Sequence, residues 1–243
     1  MRREGGYAII KIITFLARRQ DLPADAFHTA WRHARSAALP GLRGCVLNIP
    51  LEIHSRSDVA LLDMDPIDGI EELWFDDSAA AEAMLAATRD AEAGYRGASR
   101  SFVTAEAWQV PMPPGPRPGV KSFTAIRRRD DATPEAFQHA WREVHGAMAA
   151  TVPLLRGFVL SGIVAERPTP GPALRMALPL DGIAESWCAD MDARRAMVVS
   201  PEAQHWFADG ATFLGQVKTF LLRDEVLLAP PVSAAPRPVP AGR

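Results

Sequence analysis

The chain contains the same pattern of residues twice. Each copy begins with a phenylalanine, then a Trp-Arg pair, and continues with Asp-Gly-Ile followed by a glutamate and a tryptophan. The matching residues are Phe27, Trp31, Arg32, Asp68 to Ile70, Glu72 and Trp74 in the first copy, and Phe137, Trp141, Arg142, Asp181 to Ile183, Glu185 and Trp187 in the second. A repeat of this length predicts two structural units rather than one large domain.

A proline-rich segment separates the two predicted units. Proline lacks the amide donor and has a fixed backbone angle, so residues 111–119, with five prolines, are predicted to be a linker. The first unit is then residues 7–110 and the second residues 120–228. Residues 229–243 are rich in proline and alanine and are predicted to be a disordered tail.

The order of apolar and turn residues is the same in both copies. A β-branched strand precedes a helix whose start is indicated in the second copy by Thr133 and Pro134. A second strand, an Asp-Gly turn into a third strand, an alanine-rich helix and a last strand follow. This order, βαββαβ, predicts an α+β fold of two ferredoxin-like units.

Such a unit has both helices on one face of its sheet, so the other face still has to be buried. We therefore expect the two tandem units to pack sheet to sheet and to enclose a barrel-like core within one chain. Each unit can then hold a pocket between its own helices and its sheet.

One mismatch between the copies points to a site in the second unit. His145 follows Arg35 by 110 positions, the same spacing as between Trp31 and Trp141. Glu185 is predicted to share a strand face with Trp187 that points toward the helices. A histidine next to a carboxylate in an apolar space suits a general acid or base, whereas an arginine, here predicted to pair with Glu72, stays charged.

The structural alternative is that His145 and Glu185 form a buried pair that only holds the helix on the sheet. Helical and strand periodicity also explain the tryptophans as core residues. In the catalytic interpretation, Trp141, Trp187 and Phe137 line the substrate pocket. His205, beside Trp206, is a further candidate for substrate contact, although the first copy has no counterpart.

Composition excludes several other classes of function. The chain has 48% apolar and 23% charged residues and a net charge of −2, so it offers no basic surface for nucleic acid. No segment is apolar over the length of a membrane span, and the N-terminal residues do not resemble a signal peptide. The two cysteines, Cys45 and Cys188, predict neither a disulfide framework nor a metal site. We expect a cytoplasmic protein without a metal or cofactor, and a homodimer stays open.

The second copy resembles the EthD family of the dimeric α/β-barrel superfamily through nearly its whole length. The resemblance is carried by Trp141 to His145, Pro153, Arg156-Gly157, Asp181 to Trp187, Ser200 to Gln204, Asp209 and Phe213. The first copy shares the Trp-Arg and Asp-Gly patterns, but it has Arg35 where the family pattern has histidine, and it lacks the Ser-Pro-Glu sequence.

This resemblance implies ferredoxin-like units that pair sheet to sheet around a small-molecule pocket, with the barrel here supplied by a fused tandem. It also implies enzymes of small-molecule catabolism or secondary metabolism. The leading hypothesis is metal-free acid/base chemistry of a cyclase, lyase or isomerase on a hydrophobic or aromatic compound. The alternatives are an oxidoreductase, either a cofactor-free monooxygenase or a haem-binding protein, and a non-catalytic binding protein.

Overall fold

The computed structural model describes residues 9–36, 41–113, 117 and 119–231. Residues 114–116 and 118 of the predicted linker and residues 232–243 of the predicted tail therefore lie outside the described residues. Residues 111–113 have no regular secondary structure, as expected from their prolines.

The first half contains the expected elements and one short additional strand. They are β1 (Ile10–Arg18), α1 (Ala24–Arg35), β2 (Leu42–His54), β3 (Ala60–Leu61), β4 (Gly69–Phe75), α2 (Ser78–Ala93) and β5 (Arg96–Val110). Strand β3 pairs in parallel with the last strand of the chain, which the residue pattern did not predict.

The second half has the same order of strands with more irregular helices. It contains β6 (Val120–Arg128), α3 (Pro134–His139), a π-helical turn (Ala140–His145), α4 (Gly146–Met148), a 3₁₀ turn (Ala149–Thr151), β7 (Gly157–Arg167), β8 (Gly182–Cys188), α5 (Met191–Val198), α6 (Pro201–Gly210) and β9 (Leu214–Leu228).

Two helix starts in this half follow from their capping residues. The Thr133 hydroxyl accepts from the amide of Ala136, and Pro134 occupies the first turn, as predicted. The Ser200 hydroxyl caps α6 in the same way, and this start divides the predicted second helix into α5 and α6.

Eight strands form one closed antiparallel barrel in a mixed α/β fold. Their order is β2-β4-β1-β5-β7-β8-β6-β9, and β9 pairs with β2 to close the sheet. Pairing of β5 with β7 and of β9 with β2 joins the strands of the two halves edge to edge. In the closed barrel each of the eight strands pairs with a neighbour on both sides. No strand is left with a free edge along its whole length at which another protein chain could add a strand and aggregate.

The strands are buried on both faces because the barrel interior and the outer helices each form a core. Apolar residues such as Phe15, Phe102 and Phe123 pack inside the barrel. Separate cores between strands and helices contain Phe27 and Trp31 in one half, and Trp141 and Trp206 in the other. Every residue of β4 is buried, so burial alone does not distinguish its two faces.

One end of the barrel interior holds a network of buried charges. The Lys11 ammonium lies 2.7 Å from Glu72 and 2.5 Å from Glu185, and Lys121 contacts the same two carboxylates. Burial alone would lower the pKa of Lys11, but the attraction of Glu185, Glu72 and Glu106 outweighs it and raises that pKa. Lys11 therefore stays charged at neutral pH, and the network is held by compensating charges.

The two Asp-Gly pairs have a packing role at the start of their strands. A side chain at Gly182 would come within 2.2 Å of the Trp141 ring, and one at Gly69 within 2.5 Å of the Trp31 ring. The Asp181 carboxylate accepts from the backbone amide of Arg128 at 2.8 Å. Each glycine thus leaves room for the six-membered ring of a tryptophan on the outer face of the barrel.

Candidate functional site

A cavity of about 500 Å³ lies between the outer face of the barrel and the helices of the second half. Its volume is in the range of about 300–1,000 Å³ that is usual for small-molecule sites. The lining consists of His54 to Asp58, Ser122, Thr124, Ile126, Trp141, His145, Phe158, Ala184, Ser186, Arg194, Met197, Val198, Gln204, Trp206, Phe207, Leu214, Val217 and Thr219.

Small side chains on the strands create this space. Ala184 and Ser186 of β8 line the cavity, and they follow Glu71 and Leu73 of β4 by the 113 positions that separate Trp74 from Trp187. Both residues of β4 are almost completely buried against α1 and α2. The second half is therefore open where the first half is filled.

The first half fills the corresponding space with an ionic cluster. The Arg35 guanidinium lies 2.6 Å and 3.1 Å from the two Glu71 oxygens and also contacts Glu92, and the Trp31 indole donates to Glu71 at 2.8 Å. The predicted pairing of Arg35 with Glu72 is wrong, because Glu72 points into the barrel and the adjacent Glu71 faces the helix. Both carboxylates are paired with Arg35, so among the described residues this cluster offers no free base.

His145 stands at the end of the π-helical turn Ala140–His145. The corresponding residues in the first half lie in the regular helix α1. A π-helical turn inserts an extra residue into the helical repeat and often occurs at functional sites. This turn carries Trp141 and His145, both of which line the cavity.

The His145 ring is fixed by three side chains. Its Nδ1 atom lies 2.9 Å from Oδ2 of Asp209, its ring stacks on Trp206 with centroids 5.0 Å apart, and Phe213 meets it edge on at 5.3 Å. The Trp206 indole also donates to the backbone carbonyl of His145 at 3.1 Å. With Nδ1 engaged by Asp209, Nε2 is the ring nitrogen left for a ligand.

The surroundings keep this imidazole neutral. Burial lowers the pKa of His145 below its ordinary value, and the hydrogen bond and charge of Asp209 offset this only in part, while Arg56 lowers the pKa further. A neutral imidazole that faces a carboxylate through Nδ1 carries its proton there. Nε2 then has a free electron pair, as a general base requires.

The predicted convergence of His145 and Glu185 is wrong. Glu185 lies inside the barrel, 2.5 Å from Lys11 and 2.8 Å from Lys121, on the face of β8 opposite to the cavity. The strand alternation was correct, but its direction was reversed, because the prediction assumed that Trp187 faces the helices. The carboxylate that contacts His145 is Asp209.

Other predicted site residues have different positions. Trp141 lines the cavity as predicted, whereas Trp187 stacks on Trp108 within the barrel, with centroids 5.8 Å apart. Phe137 stacks beneath Trp141 at 5.3 Å and does not line the cavity. His205 is exposed on α6 and is not part of the lining. Substrate binding by Trp187, Phe137 and His205 therefore stays a prediction without support from this cavity.

Residue patterns did not identify Asp209, Trp206 or the segment His54 to Asp58 as parts of the site. Asp209 was visible only through the family resemblance. The segment His54 to Asp58 starts at the last residue of β2 in the first half but lines the cavity of the second, because β2 pairs with β9. Within it, Arg56 donates to the Phe207 carbonyl at 2.7 Å and pairs with Asp58 at 2.6 Å.

The pKa of His145 should respond in opposite directions to its two charged neighbours. We expect a wild-type value below 6.5, a lower value in Asp209→Asn because the carboxylate raises it, and a higher value in Arg56→Gln because the guanidinium lowers it. NMR titration of the imidazole protons measures all three. When the pKa of a histidine is lower in the folded than in the unfolded protein, its contribution to stability is fully present at a pH above the unfolded-state pKa. This contribution is lost as the pH falls through the folded-state pKa. An unchanged pKa in both variants would contradict the described contacts.

Within the described ranges, no cluster of three or more His, Cys, Asp or Glu side chains is arranged to hold a metal ion. Cys45 and Cys188 are both free and buried. In the same part of the chain, no helix has the length and apolar character needed to cross a membrane.

Comparison with known proteins supports the family resemblance. Residues 129–216 match the model of the EthD domain. No protein of curated function matches the chain in sequence.

Solved structures with the same fold cover nearly the whole chain at low sequence identity. An anthrone oxidase-like protein has a TM-score of 0.59 and 12% identity over 95% of this chain and 98% of its own. A candidate monooxygenase of Lactobacillus acidophilus has a TM-score of 0.57 and 13% identity over 91% of this chain and 97% of its own. One from Fusobacterium nucleatum has a TM-score of 0.57 and 9% identity, over 90% and 93%.

Proposed function

We propose that the protein is an acid/base enzyme, because residues 129–216 match the model of the EthD domain and a cavity in this part of the chain presents His145. His145 abstracts a proton from a flat, hydrophobic organic compound, and Asp209 orients the ring and stabilises the imidazolium that forms. This proton transfer begins many isomerisation, cyclisation and elimination reactions, and it needs no bound cofactor.

The observation that carries the proposal is the contact of Nδ1 with Asp209. It leaves Nε2 as the acceptor, and the stacked Trp206 and the edge of Phe213 hold the ring in one orientation. A histidine held by a carboxylate in this way is a recurrent arrangement for proton transfer. A purely structural histidine would not need an open space beside it.

The lining of the cavity indicates the class of substrate. Trp141, Phe158 and Trp206 provide flat apolar walls, and Ser122 and Thr219 contribute hydroxyl groups from the strands. Aromatic walls favour a flat ring system, and hydroxyls can donate to a carbonyl oxygen. When His145 takes a proton from the carbon next to that carbonyl, the C–H bond breaks, an N–H bond forms, and the electron pair moves toward the carbonyl oxygen as an enolate.

We propose further that residues 7–110 and 120–228 are two copies of one ferredoxin-like unit, with 111–119 as the linker. The repeated element order and the constant spacing of the tryptophans support this interpretation. In the first copy, Arg35, Glu71 and Glu92 occupy the site with fixed charges. The chain would thus keep one working site and use the other copy to complete the barrel.

Deuterium exchange into 2-tetralone, a flat ketone with acidic C–H groups, tests the proposed function. In D₂O under nitrogen, the protein should accelerate loss of the C1–H NMR signal above the rate in buffer. Ser186→Leu introduces the side chain found at Leu73 and should fill the cavity, so we expect this variant to fold but to lose the acceleration. Wild-type protein that gives only the buffer rate would contradict the proposal.

Two further measurements test the cofactor-free oxygenase and the haem-binding alternatives. Protein-dependent oxygen uptake in air would extend the proposal to a cofactor-free oxygenase, because an enolate can react with oxygen. A shift of the Soret band when haem is added to the purified protein, lost in His145→Gln, would favour the haem-binding alternative instead. We expect no such shift.

A further inference from the structure

Arg194 is a charged residue on the wall of the cavity for which the described fold gives no structural use. It lies in the first turns of α5, half-buried, and its Nε donates to the Ser122 hydroxyl at 3.1 Å. In the described part of the chain it forms no ion pair within 4.0 Å, and its two terminal nitrogens have no hydrogen-bond partner there. The other guanidinium on the wall, Arg56, is already paired with Asp58.

The first half shows that this position does not require a charge. Arg194 follows Ala81 by the 113 positions that also separate Asp77 from Asp190, and these two aspartates cap the corresponding helices. Ala81 is a buried core residue. The partner Ser122 likewise follows the buried Ile12 by 110 positions. An apolar contact in the closed half is thus replaced by a serine and an arginine in the open half.

A half-buried cation without a carboxylate partner costs free energy. Burial lowers the pKa of Arg194, and nearby Cys188 and Glu52 offset this effect only in part, although the residue remains charged at neutral pH. Such a cost is retained where a ligand supplies the missing partner. The guanidinium is planar and matches the two oxygens of a carboxylate.

We propose that Arg194 binds an anionic oxygen group of the substrate, so that the enzyme prefers flat aromatic compounds that carry an acidic group over neutral ones. This inference rests on the proposed function for the identity of the cavity as the substrate site. Arg194 would fix the charged end of the molecule, while the rest of the ring system lies along the aromatic walls toward His145. Its role is binding and positioning, and it takes no part in the proton transfer.

Binding of 2-naphthoate and its neutral analogue 2-naphthamide, measured by isothermal titration calorimetry, tests the inference. We expect wild-type protein to bind the acid more tightly than the amide. Arg194→Gln should raise the Kd of 2-naphthoate by about 10-fold to 100-fold, as expected for a lost charged hydrogen bond, and leave that of 2-naphthamide within about twofold. Arg194→Lys, which keeps the charge, should have an intermediate effect.

The neighbouring Arg195 provides a matched control. It lies on the same helix, is 69% exposed and pairs with Asp192, so Arg195→Gln should bind both compounds as the wild type does. His145→Gln should keep the preference for the acid, which separates this inference from the proposed proton transfer. Equal binding of acid and amide by the wild type, no binding of the acid, or unchanged binding by Arg194→Gln would each overturn it.

Discussion

Replacement of His145 by glutamine should lower the rate of protein-catalysed deuterium exchange into 2-tetralone by about 100-fold to 10,000-fold, the usual contribution of a general acid or base. Glutamine fills a similar volume and can still contact Asp209, but its amide does not accept a proton near neutral pH. We expect the variant to fold and to retain its affinity for flat aromatic ligands. NMR exchange rates measured above the buffer rate provide the test.

Two further variants test whether a loss of deuterium exchange in His145→Gln is due to loss of the base. Asp209→Asn lowers the basicity of His145 and releases its ring, so its exchange rate should fall between those of the wild type and His145→Gln. His139→Gln removes an exposed histidine six residues earlier in the same helical segment and should leave the rate unchanged. If folded His145→Gln exchanges deuterium as fast as wild-type protein, His145 is not the base.

Replacement of Lys121 by methionine should lower the free energy of unfolding by about 3 to 5 kcal/mol, the usual cost of removing one partner from a buried ion pair. Lys121 lies 2.8 Å from Glu185 and also contacts Glu72, and all three side chains are buried inside the barrel. Without Lys121, Lys11 alone faces both carboxylates, and one of them must take up a proton or remain uncompensated. Urea unfolding monitored by tryptophan fluorescence measures the change.

The pH dependence and a second lysine test this explanation. A carboxylate whose folded pKa is raised contributes stability at low pH that is lost as pH rises through that value, so Lys121→Met should be more destabilising at pH 8 than at pH 5. Lys218→Met removes a buried lysine whose one hydrogen bond among the described residues is to the Met64 carbonyl, and it should cost about 1 kcal/mol. Equal effects of the two substitutions at both pH values would refute the role of the charge network.

Much of the architecture follows from short-range patterns. The start of α3 at Thr133 and Pro134, the order of the strands and the contrast between Arg35 and His145 depend on capping, on alternation and on the spacing of repeated residues. These features can be read along the chain without knowing which distant segments contact each other. The split of the last helix into α5 and α6 was also encoded locally, by Ser200 and Pro201, although the prediction did not use that information.

Only the closed barrel determines which face of each strand points to the interior and which points to the helices. Alternation placed Ile183, Glu185 and Trp187 on one face, but a barrel strand is buried on both sides, so hydrophobicity does not indicate which face meets the helices. A large tryptophan fits the interior as well as the helix interface. The charges of Glu72 and Glu185 were compensated inside the barrel by lysines from strands of both halves.

The residues of the chain thus define a repeated strand and helix order, and they single out His145 as the position where the copies differ chemically. The three-dimensional fold supplies its partner, Asp209, from 64 positions away, and the segment His54 to Asp58 from the other half. It also leaves the space beside Ala184 and Ser186 open. Contacts of this kind depend on how distant segments pack, and no pattern of neighbouring residues carries that information.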